Sequence, residues 1–262
     1  MQSVGWSHYK GLWITANRRM SKGLQVSSSY TLSKSTDTNS YDGTGANTNG
    51  SLQDSYNLVD SYGPSDFDTR HRFSLNGTYE LPFKGNRLKD GWQVTGVLQF
   101  QSGNPVNIIT TLNTLTGVTS LRPDLVGDPS IVGSPNQWFN NTVCDPRIAA
   151  PAAGSCNSSS VFALPVSPSG VLHMGNIPRN LIYGPGFNNV DLSLIKNVDL
   201  VGPSRLQLRV EVFNLFNTAN FGQPGRTAAL NSSSFGVIPN TRFPTGDSGS
   251  ARQVQFALKI LF

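Results

Sequence analysis

The chain of 262 residues carries a formal net charge of +5, and only 13% of its residues are charged. That is about half the ~25% usual for soluble globular chains, so an ordinary soluble enzyme fits poorly. Aromatic residues at 10% likewise exclude a disordered chain. Gly (26) and Pro (16), with Ser, Thr and Asn in place of charges, fit an all-β protein with long loops. The sequence pI is ≈ 9.4, but Lys and Arg are spread singly and form no run, so a nucleic-acid partner is not expected.

The dominant pattern along the chain has period 2, the signature of strands with unlike faces. A first strand near 10–20 carries Leu12, Ile14 and Ala16 on one face. A second near 23–34 sets Leu24, Val26, Ser28, Tyr30 and Leu32 against Gln25, Ser27, Ser29, Thr31 and Ser33. In a third near 69–83, Phe73, Leu75, Tyr79, Leu81 and Phe83 oppose Arg72, Ser74, Asn76, Thr78 and Glu80. A fourth near 91–102 sets Trp92, Val94, Gly96, Leu98 and Phe100 against Gln93, Thr95, Val97, Gln99 and Gln101. The fifth, near 187–199, places Val190, Leu192 and Leu194 opposite Asn189, Asp191, Ser193 and Ile195. The sixth, near 204–215, alternates Leu206, Leu208, Val210 and Val212 with Arg205, Gln207, Arg209 and Glu211. The seventh, near 251–262, alternates Val254, Phe256, Leu258, Ile260 and Phe262 with Gln253, Gln255, Ala257, Lys259 and Leu261.

These segments are longer than the ~5–6 residues of a typical globular strand and match the ~9–11 needed to cross an outer membrane in a tilted barrel. At ~3.3 Å per residue and ~40° of tilt, about 11 residues rise roughly 28 Å, enough for the ~25 Å apolar band of such barrels. No stretch of roughly 18 or more apolar residues occurs, so no transmembrane helix is expected. The connections alternate between short ones (20–23, 84–90, 200–203) and long ones (about 35–68, 103–186 and 216–250). A transmembrane barrel predicts this asymmetry, with short periplasmic turns and long extracellular loops, and it places the C-terminus on the periplasmic side. Phe83, Trp92 and Phe262 fall at lower strand ends and Phe73 and Phe100 near upper ends, as two interfacial girdles would. Lipid forbids an open sheet edge, and single-chain bacterial barrels usually have an even strand number. We therefore expect further strands to precede Met1, whose surroundings (Met1–Lys10) have no signal-peptide core.

The stretches DSYGPSDFDTRHRFSLNGTYELPF (60–83), GWQVTGVLQFQSGNPVNI (91–108), GNIPRNLIYGPGFNNVDLSLIKN (175–197), LQLRVEVFNLFNTANFGQP (206–224) and ARQVQFALKILF (251–262) together resemble the C-terminal part of the Oar-like branch of TonB-dependent outer-membrane proteins. The resemblance covers about residues 24–262. It implies a 22-stranded barrel, an N-terminal plug, a box that contacts TonB, and energised uptake of siderophores, glycans or peptides. Plug, box and most of the barrel strands are missing from these residues, so the whole chain (1–262) reads as a barrel segment. Its expected partners are outer-membrane lipid, the rest of the barrel and plug, the TonB system, and the assembly machinery. The last would read Phe256, Leu258, Ile260 and Phe262 in a closing strand with an aromatic end.

The charges expected to face the lumen are Arg70, Arg72, Glu80, Asp191, Arg205, Arg209, Glu211 and Lys259, either guiding an anionic substrate, holding a plug, or simply solvated and paired across strands. The loop 103–186, with Trp138 and Phe139, is the best candidate for outside recognition. Cys144 and Cys156 read either as two thiols or as a disulfide stapling that loop in an oxidising compartment, which we favour. His8, His71 and His173 are scattered and no paired CxxC occurs, so no zinc site is expected. Asp37, Asp42, Asp54, Asp60, Asp66 and Asp68 offer oxygen ligands to calcium but match no EF-hand, so a solvated loop is the simpler reading. His71, between two arginines, reads as an interface residue rather than a general base. No GxSxG, HExxH or P-loop pattern occurs, so no enzyme, catalytic residue or cofactor is expected. The alternatives are a secreted β-sandwich adhesin or glycan-binding module and, less well matched, a secreted hydrolase. For residues 1–262 alone we expect a curved open sheet with poorly packed long loops.

Overall fold

A computed structural model describes residues 5–40, 52–54, 56–112, 121–200, 202–242 and 251–262. Its frame is seven long strands: β1 (Ser7–Ser21), β2 (Leu24–Asp37), β3 (His71–Glu80), β4 (Trp92–Gln101), β5 (Phe187–Asp199), β6 (Arg205–Phe213) and β7 (Gln253–Leu261). They form one antiparallel sheet in chain order, with the two-residue strand Gly63–Pro64 added beside the end of β2. All seven expected strands are present, with ends displaced by a few residues. Two facing sheets of long strands, which a sandwich requires, are not formed among the described residues.

The register converts the sequence alternation into continuous rows. Ile14, Tyr30, Phe73 and Phe100 stand side by side across β1 to β4. Tyr79, Val94, Leu194, Val210 and Phe256 continue a second row across β3 to β7. These rows are left open by the described residues: Phe256 is 76% exposed, Ile14 53% and Leu194, in the sheet interior, 37%. The other face is knitted by cross-strand polar pairs, each worth a few tenths of a kcal/mol to about 1 kcal/mol. Hydroxyl and amide bonds join Asn17 to Ser27 (2.5 Å), Ser29 to Ser74 (2.9 Å), Thr78 to Thr95 (3.2 Å) and Asn197 to Gln207 (3.0 Å). Ile195, on that polar face, is buried rather than solvated.

The two ends of the sheet differ. At one end the connections are short. Lys22 (φ 52°) and Gly23 (φ 77°) make a two-residue connection of the mirror-image type that matches strand twist. A side chain at Gly23 would stand 2.8 Å from the Glu80 carbonyl, so glycine serves both the turn and the approach of β3. At the other end the three long connections pack together into a cap. Its core is Val106, Ile108, Phe139, Val161, Phe162, Ile177 and Ile182 from the second connection with Ala228 and Phe235 from the third. Phe139, Phe162 and Phe235 meet edge to face, at centroid distances of 6.1, 5.2 and 5.3 Å. Short pairings hold the cap backbone, including Asp124–Leu125 with Phe162–Ala163 and Ile109–Thr110 with Thr227–Ala228. The expectation of poorly packed loops is thus wrong. Apolar residues scattered without period, each too isolated to mark a strand, converge from distant loops into a sealed core.

Candidate functional site

The cap is fastened by arginines from the second connection reaching acids in the first and at the end of β2. Arg179, with 4% of its side chain exposed, pairs with Asp37 and with Asp66 (3.2 Å). It also donates to Ser40 Oγ and to the carbonyls of Asp37 and Ser61. Asn180 donates to Asp66 and to the Pro64 carbonyl. Arg122 pairs with Asp60, while Gln53 links the Arg122 backbone (2.7 Å) to the Gly175 carbonyl (2.9 Å). Burial holds the Arg122 guanidinium below its ordinary pKa, and Asp60 opposes that lowering. Asp68 accepts from the Ser35 backbone (2.6 Å) and from Tyr183 Oη (3.4 Å). Burial, with the charge of Asp68, raises the Tyr183 pKa above its usual value.

The described acids of this segment are therefore engaged with other protein groups rather than solvated. Asp37 and Asp66 pair with Arg179, Asp60 pairs with Arg122, Asp68 accepts from Ser35 and Tyr183, Asp54 accepts from the Tyr56 backbone, and Asp42 lies outside the described residues. No group of three or more metal-ligating side chains occurs among the described residues.

Beneath the cap, where it meets the polar face, lies a cavity of about 180 Å³ lined by Arg72, Ser74, Gln99, Gln101, Phe187 and Arg242, among others. Arg242 stacks over Phe187 (5.7 Å) and bonds Asn104 and, with its amide turned, Gln101 (2.8 Å). Burial and the nearby Arg72 hold its guanidinium below the ordinary value. Neither arginine has a carboxylate within ion-pair distance among the described residues. The arrangement is a half-enclosed, cationic, aromatic-floored recess, suited to an anionic or hydrogen-bonding ligand and lacking a nucleophile–base pair.

The eight charges singled out in the sequence fall into three groups rather than one site. Arg70, at the entrance of β3, and Arg72 stand at the cap end, with Asp191, which accepts from Asn189 and the Asn214 backbone. Arg209 and Glu211 pair at 3.1 Å in the middle of β6. Glu80, Arg205 and Lys259 lie towards the short-connection end, where Arg205 pairs with Asp199 (2.9 Å). Glu80 and Arg205 also line a polar recess of about 490 Å³ there.

Phe256, Leu258 and Ile260 share the exposed apolar face of β7, followed by Phe262, itself 99% exposed. Cys144 and Cys156 are joined by a disulfide. Within its loop Asp145 binds Arg147, which holds the carboxyl below its usual pKa. His71 bonds the Tyr30 hydroxyl (2.8 Å) and, among the described residues, no carboxylate. Sequence reasoning missed Arg122, Arg179 and Arg242, because nothing local marks a lone arginine in aperiodic loop as a buried tie.

A sequence model described as "Outer membrane beta barrel domain" matches residues 1–255. The chain belongs to this outer-membrane β-barrel domain family. Comparison with curated proteins and with solved structures finds no match. Membership places the barrel domain in the outer membrane.

Proposed function

We propose that this barrel domain is part of an Oar-like TonB-dependent receptor that takes up a large or scarce substrate, a siderophore, glycan or peptide, with the cap outside the cell and the polar face lining the lumen. The observation that carries the reading is the cap itself: three long connections folded into one body over the polar face, with the Arg72–Arg242 recess beneath it. A diffusion pore gains nothing from such a cover, whereas a receptor needs a built surface that recognises a ligand and withholds it from free passage. The outer edges of β1 and β7 have no partner strand among the described residues. Lipid requires them paired, which supports a larger closed barrel, 22-stranded as the resemblance implies. In this reading the TonB system supplies energy through a plug, the exposed aromatic end of β7 addresses the assembly machinery, and no residue acts as a catalyst.

The test compares a strain lacking the protein with its parent, offering labelled ferric siderophores, oligosaccharides and peptides with and without a protonophore. The expected result is loss of uptake of one substrate class in the deletion strain, and equal loss in the parent once the proton gradient is collapsed. Uptake that persists without the gradient would make the protein a passive pore.

A further inference from the structure

On the apolar face, just beyond its last aliphatic row at the cap end, the character of the surface changes abruptly. Leu12 and Leu32 are register partners across β1 and β2, and the next pair on the same face is Lys10 and Lys34, directly opposite each other. The pair after that is His8 and Thr36. Like charges directly opposite on adjacent strands are destabilising unless an anion separates them. Among the described residues neither lysine nor His8 has an ion-pair partner. Asp37, the nearest acid along β2, is already engaged by Arg179.

The five residues His8, Lys10, Lys34, Thr36 and Tyr62 line a shallow cavity of about 300 Å³. Tyr62 is fixed there by its hydroxyl bond to Thr36 (2.8 Å) and by Trp6, which stacks on it at 6.1 Å. One pleat repeat, about 7 Å of strand, separates the lysines from the leucine row below. Cationic heads and amphipathic rings immediately above hydrocarbon-facing side chains stand at the depth of lipid headgroups.

We propose that Lys10 and Lys34, with Tyr62 as wall, form a binding site for the phosphate of an anionic lipid headgroup in the leaflet on the cap side. A phosphate between the lysines replaces their mutual repulsion with charge-assisted hydrogen bonds. The lipid is favoured over free phosphate because its acyl chains continue down the same face, along Leu12, Leu32 and Ile14. The inference rests on the reading that this face meets hydrocarbon.

The protein is purified from outer membranes in detergent and mixed with phosphatidic acid, with phosphatidylcholine, or with excess inorganic phosphate, and bound lipid is measured by native mass spectrometry. The expected result is preference for phosphatidic acid, weakened about 30-fold in the Lys10→Gln/Lys34→Gln double variant by loss of two cations at a lipid surface, with Lys84→Gln unchanged as control. Equal binding by the double variant and the parent would overturn the site, as would displacement of the lipid by inorganic phosphate alone. Recovery of the parent protein in the soluble fraction without detergent would instead overturn the lipid-facing assignment on which the site depends.

Discussion

Arg179 sits with 4% of its side chain exposed between two acids that are just as deeply buried, Asp37 and Asp66. Removing one member of such a group leaves the others charged and unpaired, at a cost of about 3–5 kcal/mol. Arg179→Met is therefore expected to loosen the cap while leaving the sheet in place, seen as faster protease cleavage confined to residues 38–70 and 102–186. Cleavage at the parental rate would show that the ion pairs contribute little. Tyr183 gives the same region a pH limit. Its folded pKa lies above the usual 10.0 because of burial and Asp68. The folded state thus holds this proton more tightly than the unfolded chain does. Its contribution is complete below pH 10 and is lost as pH rises through the folded value. Cap resistance to proteolysis is expected to fall above pH 10, and Tyr183→Phe, which has no proton to lose, is expected to flatten that fall.

At the level of the element, the strands were legible because each one repeats its message. In β6 and β7 every second residue from Leu206 to Val212 and from Val254 to Ile260 is apolar, and register turns these into adjoining rows. The ends were less legible: β2 runs on to Asp37 because Ser7 to Tyr9 of β1 pair with it on one side and Gly63–Pro64 on the other, partners no local pattern announces. The assignment of faces makes a direct prediction. Leu258→Arg or Val210→Arg places a charge against hydrocarbon and is expected to cost roughly 2–4 kcal/mol near the midplane. Outer-membrane yield of the intact protein, measured beside Gln255→Arg on the polar face, is expected to fall for the first two alone. Equal yields for all three would remove the distinction between the faces.

In the whole molecule, a sheet built from local repeats carries a cap built from non-local contacts. Phe139, Phe162 and Phe235 come from two different connections, and each lies in a stretch rich in Gly, Pro and Ser. Composition there reads as loop, and only the fold reveals a core of fully buried rings. The candidate site was half legible for the same reason. Arg72 was found through the alternation of β3, but Arg242, its companion across the recess, has no pattern to betray it. Phe235→Ala is expected to cost about 3–5 kcal/mol and to free the third connection from the second, read as increased hydrogen exchange over both.

The central claim is that one face of these strands meets hydrocarbon and the other water. It is tested most directly by spin labels placed singly at 253–260 along β7 in the membrane-inserted protein. Labels at Val254, Phe256, Leu258 and Ile260 are predicted to collide with lipid-soluble oxygen, and those at Gln253, Gln255, Ala257 and Lys259 with a water-soluble nickel chelate. Equal accessibility to both reagents along the whole strand, or shielding of the four apolar positions from oxygen, would contradict it.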